Sequence, residues 1–272
     1  MYQLSFIGTG NMGGALVRAA AAGGHGADCL LTNRTLAKAQ ALADQCGCAV
    51  AQSNAQAAEE GYFILLGVKP YLMAGVLAEI APMLARRKQA GDRFVLVSMA
   101  AGLTVDALKQ MAGDDYPVLR IMPNTPCAIG KGMVLVTPGP GVEPAEVDRL
   151  CDLLAAAGRF DPIDESLMDS GSVIAGCTGA WACMFIEALA DGAVQTGMPR
   201  PKAVEYAAQA VLGAAALVLE SGKHPGQLKD EVCSPGGSTI VGVHAMETGG
   251  VRAAAMDAVT QAFARTKEMG KS

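Results

Sequence analysis

The segment Gly8-Thr9-Gly10-Asn11-Met12-Gly13 has the spacing of a phosphate-cradling glycine loop. It sits between a short apolar run and an Ala-rich helical pattern, the setting such a loop requires. There Gly8 permits a tight turn, Gly10 leaves room for a pyrophosphate, and Gly13 lets helix and strand approach closely. The unpaired N–H groups of the helix start would face the phosphates. A glycine turn kept only for packing is the alternative. After the next apolar run, where a site for NAD ends the strand in an acid, the chain carries Asn33-Arg34-Thr35, with Lys38 a turn later. An acid would repel a ribose 2′-phosphate, whereas the guanidinium of Arg34 pairs with one through a planar fork of donors. NADPH is therefore the expected cofactor, with NADH left open. The competing reading makes Arg34 and Lys38 ordinary solvated charges.

The elements that must position these residues alternate along the first half. Strands are predicted over Leu4–Ile7, Cys29–Asn33, Cys48–Ala51, Tyr62–Gly67, Phe94–Ser98, Val118–Met122 and Met133–Thr137. Helical patterns are predicted over Met12–Ala22, Thr35–Cys46, Asn54–Glu60, Pro70–Leu84 and Pro144–Ala157. Tyr62–Gly67 is nearly all apolar, as expected of a parallel strand covered on both faces. After Phe160 the strands cease, and Ala-rich helices are predicted over Ser172–Gln195, Pro201–Glu220, His224–Val232, Ser238–Met246 and Gly250–Lys267. The expected fold is an α/β doubly wound (Rossmann-type) domain over residues 1–162, followed by an all-α domain over 163–272.

Composition narrows the function classes. At 272 residues and 51% hydrophobic the chain is long enough for two cores. A net charge of −5 without a basic stretch offers no track for nucleic acid. No charged leader precedes the first strand, and the apolar run Ala207–Leu219 is too short to span a bilayer easily. Eight cysteines without CxxC spacing, and only three histidines, argue for reduced thiols in a cytoplasmic protein and against a metal site.

Over nearly its whole length the sequence resembles the pyrroline-5-carboxylate reductase family. The matching stretches are FIGTGNMGGAL, TNRT, LLGVKP, SMAAG and RIMPNTP in the first part. In the second they are FIEALADGAV and HPGQLKDEVCSPGGSTIVGVHAME, the most specific block. The resemblance implies reduction of the C=N bond of 1-pyrroline-5-carboxylate to L-proline. It places Val68, Lys69 and Pro70 beside the pyrophosphate and nearby ribose, and Asn54 near the adenine-side ribose. Ala100, Ala101 and Gly102 would border the nicotinamide half, with Pro123 and Asn124 setting it against the substrate. Ser234, Gly236, Gly237, Ser238 and Thr239 match the family's carboxylate clamp, where the glycines let the backbone turn and helix-start N–H groups face the anion. Thr239 is the candidate catalytic residue, donating to the carboxylate or interacting with the ring nitrogen. Capping by Ser234 or Ser238 is the structural alternative. Lys69 is open between phosphate partner, structural contact and proton donor. A homodimer through the C-terminal helices is implied, with further assembly open.

One stretch departs from the pattern. Ala175-Gly176-Cys177-Thr178-Gly179-Ala180-Trp181 stands where relatives read closer to SGSGPAY, which leaves the substrate range open. Three other accounts are weighed. A β-hydroxyacid dehydrogenase would need a lysine on the central helix, and none lies between Gly176 and Asp191. A broader imine reductase would keep the clamp and accept larger rings. A nucleotide-binding regulator would bind cofactor without turnover.

Overall fold

The computed structural model describes residues 1–269. Its contacts divide it into Met1–Gly176 together with the chain from Phe263, and Cys177–Ala262. The first unit holds β1 (Tyr2–Ile7), α1 (Asn11–Ala22), β2 (Cys29–Thr32), α2 (Leu36–Cys46), β3 (Ala49–Val50) and α3 (Asn54–Glu60). It continues with β4 (Gly61–Leu66), α4 (Met73–Gln89), β5 (Val95–Ser98), α5 (Val105–Ala112) and β6 (Val118–Met122). It closes with β7 (Gly132–Pro138), α6 (Pro144–Leu153) and β8 (Gly158–Pro162).

The strands form one sheet in the order β3-β2-β1-β4-β5-β6-β7-β8. The first six strands are parallel, and the order reverses between β1 and β4, the switch point where such sheets bind ligands. β7 returns antiparallel to β6 because Thr125–Ile129 forms only a short 3₁₀ turn, too little chain for a crossover helix.

Alternation along each strand divides the core between the two faces. Leu4, Phe6, Leu31, Phe63 and Leu65 pack with Leu16 of α1, Leu42 of α2 and Leu150 of α6. Ile7, Leu30, Ile64 and Leu66 pack with Ala57 of α3, Leu77 of α4 and Leu108 of α5. Each such leucine or phenylalanine contributes about 1.5–3 kcal/mol on burial.

Two elements were not predicted, and one begins early. α5 is bounded by the Thr104 hydroxyl, which accepts from Ala107 N at 3.1 Å, and by left-handed Gly113. β8 carries Arg159, Asp161 and Pro162 and pairs parallel to β7 at the sheet edge, a place that tolerates such residues. The helix expected from Ser172 starts at Glu165, about two turns further back, where Asp164 Oδ1 accepts from Ser166 N at 2.8 Å.

A buried carboxylate ties α6 to the sheet. Glu146 accepts from Tyr62 Oη at 2.7 Å, from Arg93 at 2.6 and 2.8 Å, and from Glu143 N at 2.8 Å. Burial opposes its charge, but the Arg93 guanidinium, the Glu143 amide and the Tyr62 hydroxyl outweigh it and hold the carboxyl below its ordinary value. A group lowered on folding contributes fully above its unfolded value, about pH 4.3, and loses that contribution as pH falls through its native value. Replacing Glu146 with Gln should therefore lower stability at neutral pH by about 2 kcal/mol, a figure moderated by the 41% exposure of Arg93. It should also flatten the acid limb of a urea-midpoint profile below about pH 4.3. Parallel acid limbs for the two proteins would contradict this role.

In the second unit lie the remainder of α7 (Glu165–Gln195), then α8 (Arg200–Ser221), α9 (Pro225–Val232) and α10 (Ser238–Thr248). α11 (Val251–Met269) starts here and ends in the first unit. The unit's own core is small: Ala190, Ala203 and Ala207, with Ile186, Val194 and Met198 packed against them. Met184, Leu212, Leu217, Leu219, Val241 and Met256 are all more than half exposed. The apolar run Ala207–Leu219 is part of a 22-residue helix, so α8, like α7, has the length and hydropathy of a membrane span.

Candidate active site

Because β1 to β6 run in parallel, their C-terminal ends share one edge of the sheet, and the residues singled out in the first unit all follow those ends. Ile7 leads into Gly8, whose φ of +98° only glycine adopts without strain. Gly8 N donates to Thr32 O and Gly67 N to Ile7 O, each at 2.9 Å, so the loops after β1, β2 and β4 are fastened together. A Cβ at Gly13 would collide with the Gly8 carbonyl oxygen, which makes this the close contact between helix start and strand end. A Cβ at Gly10 would meet nothing within 4 Å. Asn11 and Met12 form the first turn of α1, which has Gly10 as its N-cap, no side-chain cap and no acid.

Thr9 carries the one buried side-chain hydroxyl among the described residues that has no hydrogen-bond partner. Beside it, Thr9 N donates to Asn33 Oδ1 at 3.4 Å, and Asn33 Nδ2 donates to Thr35 O at 3.3 Å. These bonds set the turn that presents Arg34. Arg34 is exposed and pairs with no acid among the described residues; the same holds for Lys38. Open space at Gly10, an orphaned hydroxyl at Thr9 and an unpaired guanidinium at Arg34 together suit a dinucleotide with an additional phosphate.

The remaining residues of this edge differ in how committed they are. Val68 lies against Gly8, Lys69 is exposed without an ion pair among the described residues, and Pro70 opens a 3₁₀ turn. Ala100 is buried, its N–H donating to Ser98 Oγ at 3.3 Å, and Ala101 and Gly102 follow it, half-buried. Asn54, in the first turn of α3, donates to Glu79 Oε2 at 2.8 Å. Pro123 is buried, and Asn124 is engaged at both ends of its amide. Its Nδ2 donates to Ala175 O of α7 at 2.9 Å, and its Oδ1 accepts from Met133 N at 3.0 Å. Sequence reasoning missed these partners of Asn54 and Asn124, which lie 25 and 51 residues away, and no local pattern announces them.

In the second unit, Ser234 to Gly237 form the turn between α9 and α10. Gly236 has a φ of +71°, and Gly237 N donates to Ser234 O at 3.0 Å. Gly237 is the N-cap of α10, so the helix start carries no side-chain cap and no acid in its first turn. Capping by Ser234 or Ser238 is not observed among the described residues. Ser238 and Thr239 are the first two residues of the helix, next to its free N–H groups.

A glycine loop at the switch point of a parallel sheet, followed by an unpaired arginine after the second strand, defines a dinucleotide-binding protein. The comparisons agree and go further. Residues 165–269 match the family model described as pyrroline-5-carboxylate reductase dimerisation, and residues 3–102 match one described as NADP oxidoreductase coenzyme F420-dependent. Pyrroline-5-carboxylate reductase of Escherichia coli is 39% identical over 272 residues, covering 99% of both chains. The structure of a pyrroline-5-carboxylate reductase from Coxiella burnetii matches 100% of this chain and 99% of its own, with a TM-score of 0.90 at 29% identity. That of Plasmodium falciparum pyrroline carboxylate reductase, with NADP bound, matches 99% and 98% with a TM-score of 0.85 at 29% identity. The chain belongs to the pyrroline-5-carboxylate reductase family.

Proposed function

We propose that this chain reduces 1-pyrroline-5-carboxylate to L-proline, using NADPH in preference to NADH. The observation that carries the reading is a pair of glycine-capped helix starts, at Gly10 and Gly237, both free of acids and side-chain caps, within a full-length family likeness. One suits a pyrophosphate and the other a carboxylate.

When bound, the nicotinamide supplies the hydride. The residues of the chain supply position and charge. Gly8 to Gly13 receive the pyrophosphate on the amides of the α1 start, with the Thr9 hydroxyl as a further donor. Asn33, Arg34 and Thr35 hold the 2′-phosphate, and Val68, Lys69 and Pro70 border the pyrophosphate and adjoining ribose. Ala100 to Gly102 border the nicotinamide half. Asn124 acts through position: with its amide spent on Ala175 and Met133, it keeps the turn after β6 in place. Ser234 to Thr239 hold the substrate carboxylate, and holding both partners removes entropy from the barrier. The proton on the imine nitrogen comes from solvent or is already present. Thr239 orients the ring, and Lys69 serves phosphate binding.

The helices α7 to α11 pair with a second copy, a reading supported by the dimerisation model over residues 165–269 and by the apolar side chains left exposed there. The reaction belongs in the cytoplasm, where the eight free thiols remain reduced.

Two measurements test this reading. Removing the Thr239 hydroxyl should raise the KM for 1-pyrroline-5-carboxylate roughly 10-fold, the cost of about one hydrogen bond, while Thr239→Ser stays near wild type. Equal loss in both variants would assign Thr239 to packing instead. Turnover of a 3-oxoacid and not of the cyclic imine would overturn the reaction class.

A further inference from the structure

We infer that Cys29 and Cys48 form a reversible oxidation site, with Cys48 meeting a hydroperoxide and Cys29 resolving it as a disulfide. In the register of β2 and β3, Leu30 stands opposite Ala49 and Leu31 opposite Val50. One step back along both chains brings Cys29 opposite Cys48. Neighbouring strands lie about 4.8 Å apart, inside the disulfide window of about 4.4–6.8 Å between Cα atoms. Both side chains lie on the same face: Cys29 belongs to the core beneath α1 and α2, and Cys48 packs against that core. Both thiols are free.

Their surroundings assign the roles. Cys29 is fully buried and Cys48 is half-buried, so a small oxidant reaches Cys48 first. The Cys29 S–H donates to the His25 carbonyl at 3.2 Å. The neighbouring Cys29 thiol lowers that of Cys48 against the opposing effect of burial, whereas Cys48, burial and Asp28 raise that of Cys29. Cys46, two residues before Cys48, is raised by its own burial and by Cys48, with Arg18 opposing, and so offers less thiolate.

With hydrogen peroxide the Cys48 thiolate attacks one peroxide oxygen and the O–O bond breaks. The departing hydroxide takes up the proton that the thiol had released, leaving water and a Cys48 sulfenic acid. The Cys29 sulfur then attacks the Cys48 sulfur, the S–O bond breaks, and a second water leaves with the Cys29 proton. Two thiols and one peroxide thus become one disulfide and two waters. The closed ring spans β2, the Asn33–Thr35 turn and α2.

The test treats reduced, full-length protein with hydrogen peroxide, alkylates the remaining thiols under denaturing conditions, and maps peptides without reductant. The expected result is two fewer alkylated cysteines, a peptide joining Cys29 to Cys48, and full reversal by dithiothreitol. Cys46→Ser should keep the link, whereas Cys48→Ser should abolish it. A wild-type protein in which peroxide joins Cys29 to Cys46 instead overturns the proposal. So does a wild-type protein in which Cys48 advances to sulfinic acid while Cys29 remains open to alkylation.

Discussion

Gly13→Ala should abolish NADPH binding at assay concentrations and lower kcat/KM by at least about 100-fold, because a shift near 1 Å in a positioning element has that cost. The added methyl group would occupy the space of the Gly8 carbonyl oxygen, which is backbone and can yield only if the loop moves. Stability should fall as well, by about 1–3 kcal/mol, as for other overpacked sites. Gly10→Ala is the informative partner. A Cβ at that position meets no protein atom within 4 Å, so the variant should melt like wild type and still lose NADPH affinity. Fluorescence titration of NADPH alongside thermal melts separates the two. Wild-type affinity in Gly10→Ala would place the pyrophosphate elsewhere.

Arg34→Ala should raise the KM for NADPH roughly 10- to 100-fold, the range expected when a charge-assisted bond of about 1.5–3 kcal/mol is lost. The KM for NADH should stay within about 2-fold, since that cofactor has no 2′-phosphate for the guanidinium to hold. The asymmetry follows from where Arg34 sits. The Asn33 bonds to Thr9 and Thr35 shape the turn, and no acid among the described residues competes for the guanidinium. The loss should shrink as salt rises, because an exposed ion pair is screened. An equal penalty on both cofactors would mean that Arg34 supports the turn and does not discriminate between phosphates.

What could be read from the chain was what lies close together along it. Gly8 to Gly13 and Asn33 to Thr35 are contiguous stretches, and each turn is made by its own residues, so spacing and side-chain chemistry were enough. Ser234 to Thr239 is likewise local, with its glycines, turn and helix start within six consecutive residues. The parallel strands were legible as apolar runs because both faces of the sheet are covered. β8 was not, since Arg159 and Asp161 interrupt the pattern of an edge strand. The Thr104 and Gly113 boundaries of α5 were present in the sequence and went unread.

The long-range ties were hidden for a different reason. Asn124 to Ala175, Asn54 to Glu79 and Tyr62 to Glu146 join residues that meet only after the sheet has formed. No periodicity selects one asparagine over another for such a bond. The consequence for function is specific: Asn124 sits at the expected edge, yet its amide is committed to the chain itself. The sparse core of Cys177–Ala262 was foreshadowed by its Ala-rich composition, since alanines bury little area each.

The central claim is tested most directly by mixing the purified protein with NADPH and 1-pyrroline-5-carboxylate, following cofactor absorbance and proline together. The account predicts one proline formed for each NADPH oxidised. NADPH binding without proline, or oxidation uncoupled from it, would contradict the proposed reaction.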